Sequence, residues 1–208
     1  MRRNSGFTLI EMVVVLAVVA ILAAILTPTI AKNINDSKIT RATNETQVIA
    51  AAVGSFYRDV GRWPTSDGTS LSDTLQLLYG PGDVPTIQGA GVSDEEFWLN
   101  DGTGWAVDVI DTFANHLIEN DPRDGAVNYP DDTTVPRPEL RWRGPYLTEV
   151  RADPWGSHYS CNIYYTFNTT TNFVGVWSAG PNRIANTDAI QASTAVSTGG
   201  DDVLYRLQ

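Results

Sequence analysis

Cysteine is all but missing from this chain: Cys161 stands alone among 208 residues. That excludes an internal disulfide framework and a cysteine-rich metal centre. Histidine is nearly as scarce, with His116 and His158 only, which leaves little for a histidine-based metal site. Positive charge is short as well. Lys+Arg total 14 against Asp+Glu 24, and Lys32 and Lys38 are the only lysines. With a formal net charge of −10 and no basic cluster, nucleic acid is not an expected partner, because phosphate neutralisation needs such clusters. There is no Gly-rich phosphate loop, nucleophile elbow or Cys–His signature, so the sequence does not read as an enzyme. Hydrophobic residues make up 42%, enough for a packed core. The length suits one domain, or one domain with an appendage.

The appendage is at the amino terminus. Met12 to Leu26 carry no polar side chain, and the apolar stretch from Phe7 to Ala31 holds one charge, Glu11. At about 1.5 Å per residue a helix of this length crosses a bilayer core of roughly 30 Å. Arg2 and Arg3 precede it and would stay on the cytoplasmic side. A cleaved export signal and a plain signal anchor both fit the run, but neither has a use for Glu11. A carboxylate inside an apolar span is a functional residue by default, because an unpaired charge there is costly. Pro28 should kink or locally break the helix.

Gly6-Phe7-Thr8-Leu9-Ile10-Glu11, followed by the apolar run, resembles the processing site of type IV pilins and pseudopilins. The resemblance implies cleavage between Gly6 and Phe7 by a prepilin peptidase, N-methylation of Phe7, and retention of the apolar helix. Residues 1–6 would be a leader and 7–31 a membrane and filament-core helix. Glu11 would pair with the N-terminal amine of a neighbouring subunit and fix axial register.

Past the apolar zone, Ala42, Ile49, Val53, Phe56 and Tyr57 recur at helical spacing, so residues 32–65 read as an amphipathic continuation. The helix should stop near Gly61, with Pro64 just beyond. Residues 66–140 contain Gly-Pro-Gly, Gly-Ala-Gly and Asp-Gly breakers and one candidate helix at about 105–119. In 141–208, His158–Phe167 and Phe173–Ser178 read as paired strands around a polar turn, and Val203–Leu207 as an edge strand. The expected fold class is α+β: a long N-terminal helix whose second half packs on a small antiparallel sheet.

Further motifs narrow the resemblance. Tyr57 with Gly61-Arg62-Trp63-Pro64-Thr65, then Arg143-Gly144-Pro145-Tyr146-Leu147, then Asp153-Pro154-Trp155-Gly156 are similar to the major pseudopilins of type II secretion, the general secretion pathway protein G family. The Asp-Pro-Trp-Gly turn has its own logic. Asp bonds nearby backbone, Pro sets φ, Trp packs inward and Gly accepts positive φ. The resemblance implies a filament subunit in the bacterial inner membrane with its head in the periplasm. Its implied partners are further copies of itself in a helical polymer, minor pseudopilins, prepilin peptidase, and an assembly platform and ATPase. It also implies a calcium loop where pilins carry a disulfide. The candidate ligands are Asn182, Asp188, Asp201 and Asp202, hard oxygen donors of the kind Ca²⁺ takes. A type IV pilus subunit for adhesion or motility, and a membrane-tethered binding module, remain alternatives.

Other eye-catching residues read more simply. Asp94-Glu95-Glu96 and Asp131-Asp132 fit a solvated face rather than acid–base chemistry. His116 and His158 read as surface or packing residues, Cys161 as a small buried residue, and Trp98 and Trp105 as core. The negative charge has one address. Residues 66–140 carry 15 acidic and 2 basic side chains, while 141–208 carry 5 of each. That acidic insert should face outward in a filament, since like charges repel.

Overall fold

A single helix, α1, runs from Leu9 to Val60 in the computed structural model. The structure describes residues 6–65, 75, 77–87, 110–123, 127–131, 140–163, 174–186 and 198–207. Two compact units divide the chain at Lys38 and Ile39. In the first, the large hydrophobic side chains from Phe7 to Ile34 are all exposed. Pro28 does not end the helix, although it cannot donate to the carbonyl one turn back. Just before it, Thr27 Oγ1 donates to the Ala23 carbonyl at 2.7 Å.

In the second unit, α1 buries Ala42, Thr46, Ile49, Val53, Phe56 and Val60. Those positions stand four and three apart in alternation, and Ala50 and Ala52 beside them are buried too, so one helix face sits on a core. Thr46 is tolerated there because its hydroxyl donates to the Thr43 carbonyl at 2.9 Å. Tyr57, expected on this stripe, is exposed and lies against Trp63, with ring centroids 4.6 Å apart. The helix stops where the sequence says it should. Gly61 has φ 74 and its N–H closes on the Tyr57 carbonyl at 2.8 Å, the left-handed end glycine allows.

Among the described residues seven short strands follow: β1 Leu77–Tyr79, β2 Thr86–Ile87, β3 Ile110–Thr112, β4 Ser160–Asn162, β5 Gly175–Ser178, β6 Ile184–Ala185 and β7 Val203–Arg206. A short helix, α2, spans Phe113–Leu117. The main sheet has the order β3-β1-β4-β5-β7, and β2 pairs with β6 separately. The architecture is the expected α+β, but the sheet is mixed. β1 pairs antiparallel with β4 yet parallel with β3. A parallel pair needs a crossover of a dozen or more residues, and three-residue strands show no alternation from which to foresee it. The described parts of 66–140 therefore build one side of the sheet. Leu78, Cys161 and Val176 join α1 in the core. The alternate positions Leu77, Ser160, Asn162 and Trp177 are buried too, so both faces of these strands are covered.

The candidate helix at 105–119 is corrected to Phe113–Leu117, with residues 105–109 outside the described part. Its start is fixed by Thr112, whose extended backbone (φ −86°, ψ 151°) and Oγ1, accepting from Asn115 N–H at 3.3 Å, form an N-cap. A cap there ends the helix pattern, and Asp111 behind it belongs to β3. Of His158–Phe167, β4 keeps only Ser160–Asn162, and 164–170 are outside the described residues.

Candidate functional site

Three places carry the polar chemistry of the described residues. The first is the amino-terminal motif. Phe7 is 83% exposed, and a Cβ on Gly6 would meet no described atom within 4 Å. Among the described residues nothing makes a steric demand for glycine at that position. Glu11 Oε2 accepts from the Thr8 backbone N–H at 2.8 Å and from Thr8 Oγ1 at 2.7 Å. The Thr8 hydroxyl in turn faces the Glu11 N–H at 3.4 Å. This is a reciprocal capping box on the first turn of α1. It aims the carboxylate at the amino end of the helix, where the dipole favours negative charge. Thr8-Leu9-Ile10-Glu11 spells this box in the sequence itself, a signal the apolar run behind it hides. The helix behind it is long and apolar enough to cross a membrane, with mean hydropathy 3.1 over its best window and none of that window buried.

The second place is buried in the head. His116 Nε2 lies 2.8 Å from Asp111 Oδ2, and His116 Nδ1 lies 2.8 Å from Tyr129 Oη. A carboxylate only accepts, so Nε2 carries its hydrogen. Asp111 also accepts from Asn115 Nδ2, from Thr112 N–H and from Arg123 N–H, each at 2.7 Å. Burial works against the charged carboxyl, but these donors, His116 first among them, hold it below its ordinary value. Tyr129 Oη donates to the Thr65 carbonyl at 3.1 Å and accepts the Thr65 N–H at 2.9 Å. Burial pushes the Tyr129 phenol up. An Asp–His–Tyr set resembles catalytic machinery in composition, yet all three side chains are at least nine-tenths buried. It pins β3, α2, the 120s loop and the residues after α1 to one another. Asp153 does the same for the Asp-Pro-Trp-Gly turn. Its Oδ1 accepts from Trp155 and Ser157 N–H at 2.9 and 2.8 Å, and its Oδ2 from Ser178 Oγ at 2.6 Å. Gly156 takes φ 95 as expected. Trp155 is only half-buried and stays outside the main core cluster.

The third place is the C-terminal loop. Asn182 N–H donates to Asp201 Oδ2 at 3.0 Å, and Asn186 N–H to Asp202 Oδ2 at 2.9 Å. Asn182 Nδ2 donates to Asn186 Oδ1 at 3.1 Å. Gly180 and Gly200, both at positive φ, let the two turns approach so closely that a Cβ on either would clash with the other. Asn182, Asp201 and Asp202 are thus brought together. Asp188 lies outside the described residues, as do Asp94-Glu95-Glu96, Trp98, Trp105 and Asp132. Among the described residues no group of three or more His, Cys, Asp or Glu side chains could hold a metal ion. A cation here would draw on amide and carbonyl oxygens beside the two carboxylates. Asn186 was not foreseen as part of this loop. His116 and His158 are both buried packing residues, and Cys161 is buried and free.

The family profile described as prokaryotic N-terminal methylation motif matches residues 1–27. That match, the apolar helix behind it and the α+β head together make the chain type IV pilin-like, with a prepilin N-methylation motif at its amino terminus. Among curated proteins, the chain is 37% identical over 65 residues to the type II secretion system core protein G of Pseudomonas aeruginosa, covering 31% of this chain and 46% of that protein. It is 37% identical over 77 residues to the fimbrial protein EcpC of Eikenella corrodens, 36% of this chain and 50% of that one. A fimbrial protein of Neisseria meningitidis is 34% identical over 79 residues, 36% of this chain and 46% of that one. The chain spans about half the length of the curated relatives it matches. No solved structure matches.

Proposed function

We propose that the chain is a structural, non-enzymatic subunit of a type II secretion pseudopilus. A prepilin peptidase cuts it after Gly6 and methylates Phe7. The subunit then leaves the inner membrane by packing helix to helix with other copies, and its head lies in the periplasm. The observation that carries this reading is the fully exposed apolar stretch of α1 behind the methylation motif. An apolar surface of that extent must be covered, by lipid before assembly and by other copies after it. Glu11 would match the N-terminal amine of a neighbour, since neither charge is stable alone in an apolar core. The Asp-Pro-Trp-Gly turn, the free Cys161 and the similarity to core protein G favour the pseudopilus. The fimbrial relatives favour the alternative, a pilus subunit for adhesion or motility. Deleting the protein and scoring secretion against twitching and surface pili decides between them. Lost secretion with intact pili is expected, and the reverse sinks the proposal. Minor pseudopilins, an assembly platform and its ATPase would be the partners.

Calcium belongs to the same proposal. Asn182, Asp201 and Asp202, with Asp188, would hold it through oxygens alone, the donor set this ion takes. By tying the two turns it would close a long loop, as a disulfide does elsewhere. Melting the detergent-held full chain with calcium and with a chelator checks it. A higher melting temperature with calcium is expected, and identical curves count against the ion.

A further inference from the structure

The five-stranded sheet ends in two unlike edges. At one, β3 leads straight into α2 and then to Glu119; at the other lies β7 with Arg206. Four strand spacings separate them, about 19 Å. Where β1 and β3 end, on the β3 side of the sheet, is an open cleft of about 420 Å³, lined among others by Tyr79, Ile118, Val150, Glu119 and Glu149. Glu149 pairs with Arg151. The exposed Glu119 side chain has no partner among the described residues. Arg206 is its counterpart: exposed, and also without a partner among them. Other arginines of the head are engaged, Arg41 with Glu45, Arg58 with Ser55, Arg183 with Asp83, and Arg62 over the Tyr129 ring.

We propose that in the assembled filament Arg206, on the β7 edge of one copy, docks into the Glu119 cleft at the β3 edge of the next. This rests on the reading of the chain as a filament subunit. An arginine suits such a cleft, because its aliphatic stem lies along apolar walls while its guanidinium meets a carboxylate. The opposite placement of the two charges sets the geometry. A two-fold pairing of β7 edges would bring two like charges to one contact and leave the Glu119 cleft unused. A head-to-tail contact matches Arg206 to Glu119 at every step, and such a heterologous contact grows an open helical array. The bland role for Arg206 is an edge charge that blocks strand pairing, which needs no Glu119.

Charge reversal tests the contact in the full-length chain, expressed with its peptidase and assembly machinery. The readout is processed subunit in sheared, pelleted filaments, with the membrane-held pool as the folding control. Glu119→Arg and Arg206→Glu should each lower the pelleted fraction severalfold, and the double reversal should restore it. Singles that assemble like wild type, or a double no better than either single, overturn the contact. If a reversal shrinks the membrane pool, Glu119→Gln and Arg206→Gln carry the comparison. The double should then lose no more than one single, and additive losses overturn the proposal. A wild-type chain that is processed but never pellets overturns the filament reading, and the contact with it.

Discussion

Glu11 and His158 show how much one side chain can decide. In the isolated chain the Glu11 carboxylate is held by Thr8, 2.7 Å from its hydroxyl, so it is already turned toward the end of the helix where the proposed cleavage would create a new amine. Replacing it with Ala removes the cap and the proposed register contact together. Glu11→Ala should be processed normally yet yield few filaments; normal filament yield would remove its role. His158 works on stability. Burial pushes it down to about 4 from 6.5. Between those values the unfolded chain binds a proton that the folded chain does not. Its stabilising contribution is therefore complete above about pH 6.5 and declines as pH falls toward 4, by up to about 3 kcal/mol. Asp111, held low, keeps its share until below about pH 4. Melting temperature should fall from pH 7 to 4.5, and His158→Phe, beside the Tyr79 ring, should flatten that fall. An equal slope in the variant contradicts the assignment.

The elements divide into those whose rule is local and those whose rule is distant. α1 belongs to the first kind. Its apolar run, its buried stripe and its stop at Gly61 are readable because each depends on neighbours within a turn or two. Gly61→Ala tests that stop. At φ 74 an alanine pays about 1 kcal/mol in backbone strain, and its Cβ would sit 2.7 Å from Leu140 Cδ2. The head should melt about 2–4 °C lower, and an unchanged melting temperature contradicts the cap. The C-terminal strands were legible in place, since Val203–Arg206 does form the edge. β1 and β3 were not, because three residues carry no period. The Asp111–His116–Tyr129 set was not legible either. Tyr129 reaches Thr65 across 64 positions, and no spacing within a segment announces such a contact. Asp153 was read correctly as a turn residue, but its bond to Ser178, 25 positions on, was invisible for the same reason.

At the scale of the whole molecule, the chain joins two surfaces with opposite requirements. Up to Lys38 it is a helix whose apolar side chains face outward. From Ile39 onward it has a buried core that includes Phe56, Phe113, Tyr129 and Tyr159. Tyr159 Oη donates to Glu45 Oε2 at 2.6 Å, so even the polar flank of α1 is tied to β4 and its neighbours. The head has a core of its own, whereas the exposed apolar helix needs lipid or other helices around it. That contrast is what a subunit requires if it waits in a membrane and then moves into a filament. The account depends on the helix staying attached to the head after processing. The intact mass of the protein, isolated after expression with its prepilin peptidase, tests this most directly. The account predicts the loss of residues 1–6 and the gain of one methyl group on Phe7. An uncut chain, or a cut beyond the apolar run, would contradict it.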